Sequence, residues 1–170
     1  MMTEEGNRAW AFGDNVDTDQ LAPGIYIKRP IEEISRHCLE GLSPEFASSV
    51  SPGDIVVAGS HFGMGSSREQ AAEALRHLGI KTVIAKSYGG IFYRNAINFG
   101  LLPLICEDAL KIDDGDRLRI DIETAEIFNL TKKQTYKAED IPVHLLDIIQ
   151  SGGLMPYLEN RFKNIETPHA

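Results

Sequence analysis

The stretch Gly63-Met64-Gly65-Ser66-Ser67-Arg68-Glu69-Gln70 sets two consecutive hydroxyls and a guanidinium directly behind a glycine-rich turn. A hydroxyl can move a proton once it is activated, and a guanidinium grips a carboxylate with two parallel hydrogen bonds. A run of apolar residues, Ile55 to Val57, precedes the turn, and an amphipathic pattern from Arg68 to Leu78 follows it. A handover from strand to helix aims backbone N–H groups and a positive dipole end at the intervening loop, which favours an anion. Nucleotide sites fail on the residues themselves. A dinucleotide fingerprint needs glycine where Arg68 stands, and a P-loop needs a Gly-Lys-Ser or Gly-Lys-Thr that the stretch lacks. A structural alternative competes, because Ser66 with Glu69, and Ser67 with Gln70, each spell a helix capping box. Two features weigh against capping alone. Paired hydroxyls exceed what one cap uses, and Arg68 puts positive charge where the dipole of a first helical turn disfavours it.

The elements that must hold this stretch read as an α/β pattern. Trp10 to Phe12 suggests a strand entering the polar loop Gly13-Asp14-Asn15-Val16-Asp17-Thr18-Asp19-Gln20. Pro30 to Leu39 suggests a short amphipathic helix stopped by Gly41. Asp54 to Ala58 has the continuous apolar character of a strand buried on both faces. The helix to Leu78 and the β-branched Thr82 to Ala85 then complete a βαβ unit, with parallel strands and a right-handed crossover. Ile91 to Phe99 predicts a second helix and Leu101 to Ile105 another core strand. Arg117 to Ile122 and Glu126 to Leu130 alternate as an antiparallel hairpin, and two helices, Val143 to Gln150 and Leu154 to Phe162, close the chain. The expectation is one domain over residues 1–162, with 163–170 a frayed tail.

Bulk properties exclude several classes of function. Net charge is −8 in 170 residues, with no cluster of basic residues, so nucleic acid is not an expected partner. No apolar run approaches the roughly 20 residues of a membrane helix. The opening Met1-Met2-Thr3-Glu4-Glu5-Gly6 has neither a basic region nor an apolar one, which points to a cytoplasmic protein. Cys38 and Cys106 are too few and too far apart for a redox pair, a structural zinc site or an iron-sulfur cluster, and read as buried hydrophobes. No metal site is expected in this chain.

Three motifs together resemble the swivelling domain of the aconitase superfamily, which occurs as a separate small subunit in isopropylmalate dehydratase and homoaconitase. They are Gly13 to Asp19, Gly65-Ser66-Ser67-Arg68-Glu69-Gln70-Ala71, and Tyr93-Arg94-Asn95-Ala96-Ile97-Asn98-Phe99-Gly100-Leu101-Leu102-Pro103. With Ser151-Gly152-Gly153-Leu154 near the end, the resemblance extends to about Leu158. It implies a three-layer β/β/α swivelling domain with parallel core strands and an antiparallel hairpin. It also implies that Ser66 is the base that removes or returns a proton on carbon. Ser67 and Arg68 are then expected to bind a substrate carboxylate or to steady the serine alkoxide, with Asp19 as the active-site aspartate of the first loop. A [4Fe-4S] cluster is expected on a large partner subunit and none on this chain.

Tyr26-Ile27-Lys28-Arg29 matches the family loop that reads the distinguishing group of a substituted malate, and it departs from both the apolar and the Arg-Thr versions of that loop. Lys28 and Arg29 favour a carboxylate-bearing group if they face the cleft, and mean nothing for specificity if they face solvent. The substrate order is isopropylmalate, then homoaconitate and dimethylmalate. A module that binds a carboxylate or a protein partner without chemistry is the reading of another class, and retention of both hydroxyls with Arg68 argues against it. Tyr93, Arg94 and Asn95 are expected to anchor loops, and His61 is left without an assigned role.

Overall fold

The structure is a computed structural model and describes residues 4–166. In chain order the elements are β1 (Asn7–Ala11), α1 (Thr18–Leu21), a 3-10 turn (Gly24–Tyr26), α2 (Ile31–Ser35), α3 (Phe46–Ser49), β2 (Ile55–Val57), α4 (Gln70–His77), β3 (Thr82–Ala85), α5 (Gly90–Asn98), β4 (Leu102–Ile105), a 3-10 turn (Ala109–Lys111), β5 (Arg117–Asp121), β6 (Glu126–Asn129), β7 (Gln134–Lys137), α6 (Val143–Gln150) and α7 (Leu154–Glu166). The strands form one sheet in the order β4-β3-β2-β1-β5-β6-β7. Its first half is parallel, with Trp10 beside Val56, Val56 beside Val83 and Val83 beside Pro103. Its second half is an antiparallel meander, joined where β1 meets β5 at Asn7 and Leu118.

Alternation along the parallel strands separates two cores. Trp10, Val56, Val83 and Ala85 face α4 and α5 and pack with Phe62, Leu75 and Phe92. Ala9, Ile55, Val57, Ile84 and Leu104 face the other way and meet Leu118, Ile120, Ile127 and Tyr136 of the meander. The sheet therefore curls until its own halves pack face to face, and helices cover the outer side of the parallel half. This is the expected three-layer β/β/α arrangement.

Several boundaries differ from the expectation. The amphipathic pattern from Arg68 becomes helical only at Gln70, so Ser66, Ser67 and Arg68 stay in extended loop. The predicted helix from Pro30 keeps its helical geometry only to Ser35, and Leu39, at φ 59°, turns the chain away. The hairpin gains a third strand, β7, where Tyr136 is the one buried side chain of Gln134–Lys137, too sparse a pattern to read as a strand. Helix α7 continues to Glu166, beyond the Phe162 where it was expected to end, and the last four residues of the expected tail lie outside the described ones. Among the described residues, no helix is long and apolar enough to cross a membrane.

Candidate functional site

The loops leaving the carboxyl ends of β1, β2 and β3 meet at one edge of the parallel sheet, beside the point where pairing changes from parallel to antiparallel. Open α/β sheets bind ligands at such an edge. The backbone laces the loops together. Gly59 donates to the Gly13 carbonyl, Gly63 to that of Val16, Thr18 to that of Met64, and Phe62 to that of Ser87. Side chains add Asp14, whose carboxylate accepts from the Ser60 N–H at 2.7 Å, and Ser87, whose hydroxyl accepts from the His61 N–H at 2.8 Å. His61 faces Asn15 at 3.1 Å, and both residues hold left-handed backbone, φ 62° and 59°. That contact gives His61 a role in loop geometry.

Beneath the glycine turn sits an aromatic floor. Phe62 is fully buried and meets the Phe92 ring edge-on at 5.2 Å between centroids. Gly63, at φ 76°, lies so close above Phe92 that a Cβ there would fall 2.1 Å from the ring's Cγ. Only glycine brings the chain this near the ring, and the next residues are lifted to the surface as a result.

Ser66 and Ser67 are exposed on that lifted segment, and neither caps α4. The N-cap of α4 is Glu69, in helical conformation and without a side-chain cap bond, so both capping boxes read from the sequence are absent. The Ser66 hydroxyl turns instead to Thr18, with Oγ to Oγ1 at 3.0 Å, while the Ser66 N–H donates to the same Thr18 oxygen at 3.1 Å. Thr18 is 3% exposed, so its hydroxyl is a fixed anchor. Thr18 was missed as a site residue, although it sits inside the first motif. The signal that could have found it is the real capping box: the Asp17 side chain accepts from the Gln20 N–H at 2.8 Å and the Gln20 side chain accepts from the Asp17 N–H at 3.0 Å. An Asp-x-x-Gln pattern of this kind starts a helix at Thr18 and aims its side chain.

Arg68 lies outside the first turn of α4, so its predicted conflict with the helix dipole does not arise. Its Nη1 donates to Asp19 Oδ1 at 3.1 Å and to the Ala22 carbonyl at 2.7 Å, and no hydrogen bond to Ser66 is present among the described residues. Asp19 also accepts from the Gly24 N–H at 2.8 Å. The Gly24 bond, followed by the Arg68 guanidinium, holds the Asp19 carboxyl below its ordinary value of 3.8. These contacts use one nitrogen of the guanidinium, so Nη2 and Nε remain for a second carboxylate. Asn95 of α5 reaches the Ser67 carbonyl at 3.5 Å, the long end of a hydrogen bond, which matches the expected anchoring role of the third motif.

In the loop expected to read the substrate, neither Lys28 nor Arg29 makes a hydrogen bond or ion pair with this cluster among the described residues. Lys28 is exposed and has no ion pair among the described residues, while Arg29 faces Glu33 at 3.8 Å with its side chain largely in solvent. Ile25, 83% exposed, is nearer the cluster: it follows Gly24, whose Cα would carry a Cβ 3.7 Å from Arg68 Nη1.

Among the described residues, no three His, Cys, Asp or Glu side chains converge as metal ligands. Cys38 and Cys106 are buried in different cores, and burial pushes both thiols upward, Cys38 far above its ordinary range. Neither is a ready thiolate, so these two cysteines do not fit as ligands of an iron-sulfur cluster.

The model of the aconitase C-terminal domain matches residues 43–109. Over 155 residues the chain is 50% identical to 3-isopropylmalate dehydratase small subunit 1 of Archaeoglobus fulgidus, covering 90% of this chain and 96% of that one. The chain belongs to the 3-isopropylmalate dehydratase small-subunit family. The family includes the methanogen homoaconitase small subunit of Methanothermobacter thermautotrophicus, 46% identical over 94% of this chain and 92% of that protein. The crystal structure of 3-isopropylmalate dehydratase from Methanocaldococcus jannaschii superposes with a TM-score of 0.89 at 45% identity, covering 95% of this chain and 96% of that one. The superposition accounts for the curled seven-stranded sheet.

Proposed function

We propose that this chain is the small subunit of a cytoplasmic two-protein hydro-lyase that isomerises a substituted malate, with isopropylmalate as substrate. The observation that carries the proposal is the exposed Ser66 hydroxyl, held by buried Thr18 on the same lip as Arg68. In this reading Ser66 Oγ takes a proton from one substrate carbon as water leaves the neighbouring carbon, and returns a proton when water adds back the other way round. Thr18, already accepting from the Ser66 N–H, directs its own O–H at Ser66 Oγ and steadies the charge that develops there. Arg68 keeps Nη1 on Asp19 and Ala22 and offers Nη2 and Nε to a substrate carboxylate, with Ser67 as a further donor.

A serine alkoxide at neutral pH is costly, because each pKa unit corresponds to about 1.4 kcal/mol. A helix dipole contributes about 0.3–2 kcal/mol, and falls off within the first turn that Ser66 here precedes. Further donors and exclusion of water must come from a companion that closes over the lip. That companion is the large subunit implied by the small-subunit names of the relatives, and a [4Fe-4S] cluster on it would supply Lewis acidity.

Ile25 favours isopropylmalate, since an exposed isoleucine beside the carboxylate grip offers an apolar wall to a branched substituent. Lys28, exposed and unpaired among the described residues, favours the second reading, homoaconitate, where an extra carboxylate needs a cation. Anaerobic reconstitution with the cognate large subunit, assayed with isopropylmalate, homoaconitate and dimethylmalate, decides between them. Isopropylmalate is expected to turn over at least about tenfold faster, the discrimination an apolar pocket gives. Preference for homoaconitate would establish the second reading. Tight association without turnover of any substituted malate would leave a binding module.

A further inference from the structure

At the opposite end of the parallel strands, where β2, β3 and β4 begin, a cavity of about 540 Å³ lies between the curled sheet and the end of α6. Its size is that of a small-molecule pocket. One wall is apolar: Ile55, Leu118 and Ile120 are nearly or fully buried there, and Ile122 continues the row towards solvent at 40% exposure. Leu118, Ile120 and Ile122 alternate onto the same face; Leu118 is closed off at the base, so the open stretch from Ile120 to Ile122 runs for about 7 Å, and Ile149 of α6 also lines the cavity. The rim is basic. Arg76 and Lys81 line it as exposed side chains, and no Asp or Glu lines the cavity at all. In a chain with 25 acidic and 17 basic residues, that local reversal of sign is a feature the average surface does not supply. Arg76 Nη1 donates to the Phe99 and Gly152 carbonyls, which fixes its guanidinium at the mouth, and Lys81 has no ion pair among the described residues. An apolar slot closed by two cations selects a ligand with a hydrocarbon body and one anionic end.

We infer that this cavity binds a medium-chain aliphatic carboxylate, its chain along Ile120, Ile122 and Ile149 and its carboxylate between Lys81 and Arg76. The site is separate from the Ser66 lip, on the other edge of the sheet, and its occupancy does not depend on Ser66 or Arg68. Calorimetric titration of sodium octanoate into the chain, alone and reconstituted with its large subunit, tests the assignment. Saturable one-to-one binding is expected in both, unchanged by Ser66→Ala, and weakened about tenfold or more by Lys81→Glu and by Ile122→Glu. Both altered side chains are exposed enough to leave the fold in place, which thermal unfolding verifies. Absence of saturable binding, or binding indifferent to both cavity substitutions, overturns the proposal. So does loss of octanoate binding in Ser66→Ala, which would put the ligand at the lip, or in the reconstituted enzyme, which would make the cavity a subunit contact.

Discussion

The proposed chemistry turns on one oxygen pair, Ser66 Oγ and Thr18 Oγ1. If Thr18 fixes the serine rotamer and carries part of its charge, Thr18→Val should lower kcat about 10- to 100-fold with little change in KM, because a misplaced base loses alignment rather than binding. Thr18→Ser, which restores the hydroxyl, should recover most of the rate. Equal losses in the two variants would make Thr18 a packing residue. Ser66→Ala should abolish turnover while leaving the unfolding temperature and the association with the large subunit unchanged. Arg68→Lys should be costly as well, since an ammonium cannot hold Asp19, Ala22 and a substrate carboxylate with one planar fork. The Asp19 carboxyl is held below its ordinary value, so it stays ionised throughout the neutral range. The small stabilisation from its exposed pair with Arg68 is complete above pH 3.8 and is lost as pH falls through the depressed folded-state value. Carbon NMR of Asp19 should show its midpoint below 3.8, and moving upward in Arg68→Lys where the fork is lost. Ser66 and Arg68 stood out in the sequence by type and spacing; Thr18, the partner of Ser66, did not, because the Asp17-x-x-Gln20 box around it marks a helix start and says nothing of burial.

At the level of elements, the parallel strands were legible because both their faces are buried, which leaves uninterrupted apolar runs such as Ile55–Val57. The helices α4 and α5 were legible from their apolar stripes. The start of α5 was legible to within one residue, whereas α4 begins at Gln70 rather than Arg68, because Ser66, which resembles a cap, is committed to Thr18 instead. Strand β7 escaped notice because edge pairing to β6, rather than side-chain pattern, makes it a strand. The glycine turn shows how far an element depends on a distant one. Its height above the sheet is set by Phe62 and Phe92, so Gly63→Ala forces either the ring or the lip to move. A Cβ at left-handed φ and in overlap with an aromatic ring should destabilise the fold by about 2–4 kcal/mol, measured by denaturant unfolding. Pairing it with Phe92→Leu should recover part of that loss. The cysteines give an independent check on burial. Cys38 and Cys106 should resist a thiol reagent in the native protein and react together once denaturant unfolds it, since each belongs to a packed core.

Across the whole molecule, the curled sheet separates two ends: the loops beyond β1, β2 and β3 form the lip, and the starts of β2, β3 and β4 frame the cavity. A lip that must exclude water cannot do so alone, because Ser66 and Ser67 stand exposed on it. Three large apolar side chains ring the same lip in solvent: Ile25 at 83% exposure, Met64 at 41% and Ile91 at 45%. Met64 abuts the loop before α5, where a Cβ on Gly89 would lie 3.1 Å from the Met64 Cα, and Ile91 follows in the first turn of that helix. Apolar groups around a polar centre form the kind of ring that desolvates an interface as its partner docks. Ile91→Glu and Met64→Glu should therefore each weaken association with the large subunit about tenfold or more, and lower activity at limiting small subunit, while the isolated chain unfolds at its usual temperature. Raising the concentration of the variant subunit should restore the rate, because the Ser66, Thr18 and Arg68 geometry is untouched. If a rate deficit persists at saturation, the two side chains act on chemistry rather than on docking, and closure of the site must come from another face.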